Sequence, residues 1–235
     1  MTEPRGIITI DGPAGAGKRT VAKLLAEALG YLYVDSGALY RLVGWQAEEQ
    51  GLDLGDAAAV QAFLAGLHPE VAADAQGFRV FLNGREVSQA LRSPEVSRAA
   101  SKVAVLPPVR EWVTAKLRQL AQNRGVVAEG RDLGTVVFPQ AEVKFYLDAS
   151  LEARALRRRQ DWENQDVSPP PEKVARELAE RDRRDSTRAT APMRAAADAQ
   201  VIDTTNLNPL EVVRQCLAKI REILPEAAGL KMKIG

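Results

Sequence analysis

One cysteine, one histidine, 5% aromatic residues and a formal net charge of +1 are what this 235-residue chain has least of. A single thiol, Cys216, cannot close an internal disulfide, and its place on an apolar helical stripe makes it inert core. A net charge near zero provides no bulk positive field for nucleic acid or an anionic membrane, and no stripes of interleaved basic and aromatic residues suggest an RNA-handling protein. No apolar run approaches the ~20 residues of a membrane span, and the first residues, Met1-Thr2-Glu3-Pro4, contain no apolar stretch. Internal repeats and low-complexity tracts are also missing. A cytoplasmic, reducing location is expected.

What is present is ordinary in bulk and specific in detail. With 46% apolar and 27% charged residues, the chain can bury a real core, and its length suits one α/β domain carrying insertions. Arginine greatly outnumbers lysine, and its planar fork grips phosphate and carboxylate bidentately. The β-branched run Gly6 to Asp11 precedes a glycine-rich turn and a helix that places Val21, Leu24, Leu25 and Ala28 at helical spacing before Gly30. Short runs at Tyr31 to Val34, Val126 to Ala128, Val143 to Leu147 and Gln200 to Ile202 alternate with helical segments. That rhythm predicts α/β architecture, a five-stranded parallel sheet covered on both faces in three layers. Asp35-Ser36 is a plausible cap for a helix to Gln50, and Asn208-Pro209 starts the last helix.

Two regions interrupt the rhythm. Phe78 to Val87 reads strand, Asn-Gly turn, strand, and this hairpin marks an inserted α+β lobe over residues 62–100, with 1–61 and 101–235 forming the core. The polar segment Asp161 to Pro171 ends in three prolines and is expected to be a surface loop between charged helices, within a lid over about 155–171. His68 falls in the inserted lobe, far from every motif, and is given no role.

The stretch Gly12-Pro13-Ala14-Gly15-Ala16-Gly17-Lys18-Arg19-Thr20 follows a strand and opens a helix. Its glycines let successive backbone N–H groups converge on one anion, the helix N-terminus adds a positive end, and Lys18 reaches the terminal phosphates of a nucleoside triphosphate. Arg19 stands between the lysine and Thr20, whose hydroxyl is expected near a magnesium shell. Arg19 itself is expected to make the donor site more positive.

Together with "DSGALYR" (Asp35 to Arg41), "EGRDLGTVVFP" (Glu129 to Pro139) and "RDRRDSTR" (Arg181 to Arg188), this loop resembles the cytidylate kinase family over essentially the whole chain, although that family usually has glycine where Arg19 stands. The resemblance implies ATP-dependent, magnesium-assisted phosphorylation of CMP and dCMP by a monomer. It implies that Ser36, Arg41, Arg131 and Arg188, with Tyr40 beside them, hold the acceptor phosphate, and that Arg181 and Asp185 contact the sugar. Asp132 and Ser101 would accept from the cytosine amine, and Arg110 would donate to the ring. Arg154 and Arg158 are expected on ATP, with Lys18, Arg131, Arg188 and Arg158 neutralising the charge of the transferred group. Glu129 would orient metal-bound water together with Thr20. For Asp132 the bland alternative is an ion pair with Arg131. Related kinases acting on UMP, AMP or shikimate, or a P-loop ATPase that is not a kinase, remain the alternatives.

Overall fold

The computed structural model describes residues 6–163 and 170–225. The β-branched run forms β1 (Gly6–Asp11), and α1 (Lys18–Leu29) buries Val21, Ala22, Leu25 and Leu29 on one face. β2 (Leu32–Asp35) leads directly into α2 (Ser36–Glu49), where the Asp35 carboxylate accepts from the Ala38 amide at 3.0 Å and caps the helix as expected. α3 (Ala57–Ala65) is capped by Asp56.

An antiparallel sheet follows, of β3 (Glu70–Ala73), β4 (Phe78–Leu82) and β5 (Arg85–Glu86). Asn83 and Gly84 both take positive φ, 51° and 75°, the left-handed pair that a two-residue hairpin requires. β3 was not foreseen, because four residues with only moderate burial carry almost no periodic signal. A 3-10 turn (Ala90–Arg92) connects to α4 (Pro94–Val103), and α5 (Pro107–Leu120) returns the chain to the core.

β6 (Gly125–Glu129), a π-helical turn (Leu133–Val137) and β7 (Val143–Asp148) come next. α6 (Leu151–Glu163) and α7 (Pro171–Thr187) carry the charged segments. The surface loop expected from Asp161 is therefore shorter at its N-terminal end, since helix continues through Glu163; residues 164–169 lie outside the described part. β8 (Gln200–Asp203) and α8 (Pro209–Ile223) complete the chain, the latter held by a reciprocal Asn208–Glu211 capping box.

The five long-range strands pair in parallel in the order β2-β6-β1-β7-β8. One face packs Ile8, Ile10, Val127 and Phe145 against α1 and α8, where Cys216 is fully buried and its thiol is pushed up to about 12 by burial. The other face packs Val34, Val126 and Ala128 against Leu39, Leu42 and Val113 of α2 and α5. Val60, Leu64, Val80 and Leu91 of the intervening segment join this same cluster, so the antiparallel part is bonded to the core through a shared apolar interior.

At its centre α2 meets α4 at backbone distance. A Cβ on Gly44 would lie 2.6 Å from the Ala100 nitrogen, closer than any side chain tolerates.

Candidate active site

β1, β2 and β6 point their carboxyl ends into one crevice, the place where open parallel sheets bind ligands. β1 runs straight into the glycine loop. Gly12 has φ of 139°, and a Cβ there would sit 2.0 Å from the Leu147 carbonyl oxygen, so the loop can lie against β7 only with glycine at this position. α1 begins without a side-chain cap, leaving first-turn N–H groups for an anion. Lys18 is 5% exposed, and its Nζ donates to the Pro13 carbonyl at 2.6 Å. Burial and then the charge of Arg131 lower its pKa to about 7.

Two contacts hold this loop in ways the sequence did not announce. The Asp11 carboxylate accepts from the Leu133 and Gly134 amides at 2.9 and 2.8 Å, tying the base of the loop to the turn after Asp132. Burial raises its pKa to about 6 against those hydrogen bonds. Arg154 donates to the carbonyls of Ala149 and Ala14 at 3.0 and 3.2 Å and pairs with Asp182, which also accepts from the Ala14 amide at 3.4 Å. The guanidinium expected on ATP is thus occupied by protein, clamping α6 and α7 to the loop.

On the far side, Arg41 pairs with Asp35 at 2.7 Å, and the Ser36 hydroxyl donates to the Glu129 carbonyl at 2.8 Å. Burial works against charge on the Arg41 guanidinium, but Asp35 and Glu129 outweigh it and raise its pKa. Asp132 does not pair with Arg131. Its oxygens accept from Arg110 and, at 3.1 Å, from Arg188, while Arg131 pairs with Asp185 at 3.2 Å. Arg110 is 4% exposed, donates to the Ala104 carbonyl at 3.1 Å and lies 5.7 Å from the centre of the Tyr40 ring.

Arg181 and Asp185 share a face of α7 with 4.0 Å between them. The helix ends at Thr187, so Arg188 turns away from that face to reach Asp132. Ser101 is 4% exposed and its hydroxyl has no hydrogen-bond partner among the described residues. A buried hydroxyl left in that state is costly unless something else completes it.

These groups share a cavity of about 870 Å³, near the upper end for small-molecule sites. It is lined by the expected residues Ala14 to Thr20, Ser36, Tyr40, Arg41, Ser101, Glu129, Arg131, Asp132, Arg158, Arg181, Asp185 and Arg188. Gly12, Pro13, Arg110 and Arg154 do not line it; they sit one layer behind. Residues not foreseen also line it. Gln89 and Arg92 do so from the 3-10 turn and Ser97 from α4; Thr204, Leu207, Pro209 and Val212 do so at the β8 end, beside Arg157. A strand-terminal aspartate just before Gly12 was a usable signal for Asp11, whereas Arg92 and Thr204 carry none. His68 is exposed and lies outside the cavity.

Among the described residues no three or more metal-ligating side chains cluster. Both Asp11 oxygens are taken by amides, and Asp35 is taken by Arg41 and Ala38. Thr20 and Glu129 are among the residues that line the cavity beside the loop. Such a sparse set of hard oxygens suits magnesium, which relies on waters and substrate phosphates for most of its shell.

The family model described as cytidylate kinase matches residues 8–222 of this chain. A cytidylate kinase of Pelotomaculum thermopropionicum is 46% identical over 91% of this chain and 95% of its own length. One from Aliivibrio salmonicida is 46% identical over 95% of this chain and the whole of its own. Among solved structures, an uncharacterised protein from Eubacterium ventriosum superposes with a TM-score of 0.50, covering 92% of this chain and 98% of that one at 11% identity, a likeness of fold alone.

Proposed function

The chain belongs to the cytidylate kinase family, and on that premise we propose that its crevice moves the γ-phosphoryl group of ATP to the phosphate of CMP or dCMP, releasing ADP and CDP or dCDP. Support comes above all from one observation: an anion-binding loop and a buried polar pocket open into the same cavity, and the Ser101 hydroxyl at the pocket end lacks a partner among the described residues. The loop amides and Lys18 bind the donor phosphates. Ser36, Tyr40, Arg41, Arg131 and Arg188 receive the acceptor phosphate, while Arg181 and Asp185 face the sugar. Asp132 and Ser101 supply acceptors for the exocyclic amine of cytosine, with Arg110 behind them. We assign residues 62–100 to an acceptor-binding lobe on the ground that Gln89, Arg92 and Ser97 line the cavity.

Phosphoryl transfer requires positioning and charge neutralisation rather than a nucleophilic side chain. The acceptor phosphate is already anionic and needs no general base. Lys18, Arg131, Arg188 and Arg158 surround the region where charge develops, in a cavity whose walls lower the dielectric and strengthen each contact. Magnesium, held through Thr20 and Glu129 and the ATP phosphates, would neutralise further charge. Leu151 and Ala155 of α6 and Val174 and Leu178 of α7 pack against Ala14 of the loop, which supports a lid over about 155–171 that would exclude water. A monomer in the cytoplasm fits this activity, and among the described residues no helix is long and apolar enough to cross a membrane.

A panel of nucleoside monophosphates tests the reading by following ADP release. CMP and dCMP are expected to be preferred; faster turnover with UMP or AMP, or ATP hydrolysis without CDP, overturns it.

A further inference from the structure

Arg19 was expected to serve the donor phosphates, and its surroundings point elsewhere. It occupies the first turn of α1, one turn before Lys23 on the same helical face. The Lys23 ammonium lies 6.0 Å from the centre of the Tyr33 ring, in the middle of β2. Asp35 is two residues further along that strand, so the face of α1 that carries Arg19 looks across β2 at the acceptor end of the crevice. Lys18, one residue earlier, turns the other way and folds over the loop through Pro13.

Arg92 comes from the opposite lip, at the end of the 3-10 turn of the inserted segment. Both arginines are exposed, both line the cavity, and among the described residues neither side chain makes a hydrogen bond or an ion pair. Burial, followed by the charges of Arg19 and then Arg41, depresses the pKa of Arg92, while Asp35 opposes this. Asp35 in turn is held low by Arg41 and then Arg19, against the effect of burial. Arg19, Arg41 and Arg92 thus line one cavity together with Asp35 and Glu129, and among the described residues only Arg41 of the three is paired, to Asp35.

Crowded cations that lack partners and share a wet cavity are stabilised by an oxyanion able to accept several forks at once. We propose that Arg19 and Arg92 close on the phosphate of the acceptor nucleotide from opposite lips of the crevice, one carried by the kinase core and one by the inserted segment, adding to the grip of Arg41. The inference rests on the reading that a nucleoside monophosphate is the acceptor. Its physical content is that the phosphate screens two like charges from each other and so draws the two lips together. Arg19 acts as a positioning residue for the acceptor and leaves the donor to Lys18 and the loop amides.

Arg19→Gln and Arg92→Gln, with Arg19→Lys as the conservative variant, test it by steady-state kinetics and by calorimetric binding of CMP and of cytidine, which has the base and sugar but no phosphate. Each Gln variant is expected to raise KM for CMP about tenfold, the loss of one charge-assisted hydrogen bond, with KM for ATP nearly unchanged. Cytidine binding is expected to stay as in the parent protein, Arg19→Lys to keep part of the effect, and the double variant to lose less than the sum of the two. A rise in KM for ATP instead, equal weakening of CMP and cytidine, or no change in either constant overturns the proposal. Matching thermal melts exclude a folding defect. Should the parent protein favour another monophosphate, the CMP reading fails by itself, and the same comparison of that monophosphate with its nucleoside still decides the role of the two arginines.

Discussion

Lys18 is a cation held where a cation is disfavoured: burial and Arg131 bring its pKa to about 7. Bound polyphosphate favours the charged ammonium, so the pKa must rise when ATP arrives. The sign follows directly. Above pH 7 the free site holds mostly neutral lysine and ATP binding takes up a proton, whereas at pH 6 the lysine is already charged and no uptake occurs. Calorimetry in buffers of unequal ionisation enthalpy measures this; equal heats in all buffers at pH 8 would contradict it, and Lys18→Met should abolish the uptake and reduce turnover by about 10² to 10³-fold or more. Asp132 poses a different residue-scale question, because it serves two buried arginines as well as the proposed base contact. Asp132→Asn is expected to lower the CMP over UMP preference in kcat/KM by about 10² or more. It should also cost about 3 kcal/mol of stability by leaving Arg110 without its anion. An unchanged acceptor ratio removes Asp132 from base selection. At this scale the sequence was legible wherever neighbours along the chain do the work, as in Gly12 to Thr20. It was opaque where a partner comes from afar: nothing local says that Asp132 meets Arg110 and Arg188 rather than Arg131, or that Arg154 is consumed by Asp182.

The elements divide in the same way. All five parallel strands and the hairpin could be read from β-branched runs and an Asn-Gly turn, since those signals are complete within a few residues. β3 could not, because it is defined only by pairing with β4. The tight crossing of α2 and α4 was equally hidden, as Gly44 looks like an ordinary helix weakness until Ala100 is seen against it. Gly44→Ala is therefore expected to do the reverse of what helix propensity suggests. Forcing the two helices apart should cost about 1 to 3 kcal/mol, and α4, which carries Ser101, should shift. KM for CMP should rise while KM for ATP holds. Chemical denaturation and the two constants check this, and a variant more stable than the parent would show that the helices have room to spare.

For the whole molecule, a formal net charge of +1 conceals a strongly cationic crevice with carboxylates interspersed. Nucleotides should thus stabilise the fold while salt weakens their hold. CMP at about 100 times its Kd is expected to add ~2.7 kcal/mol, and raising ionic strength well above 0.1 M, where the screening length is about 10 Å, should raise KM for both nucleotides. Thermal melts with and without CMP, and kinetics across a salt series, measure the two effects. KM values indifferent to salt would mean that the arginines are already neutralised by their carboxylates.

The oily interior common to the sheet and the antiparallel segment has a mechanical corollary. A door swinging on a joint would open that interior to water, so the apolar cluster binds the segment to the sheet as one body, with α4 seated on α2 at the backbone contact that Gly44 permits.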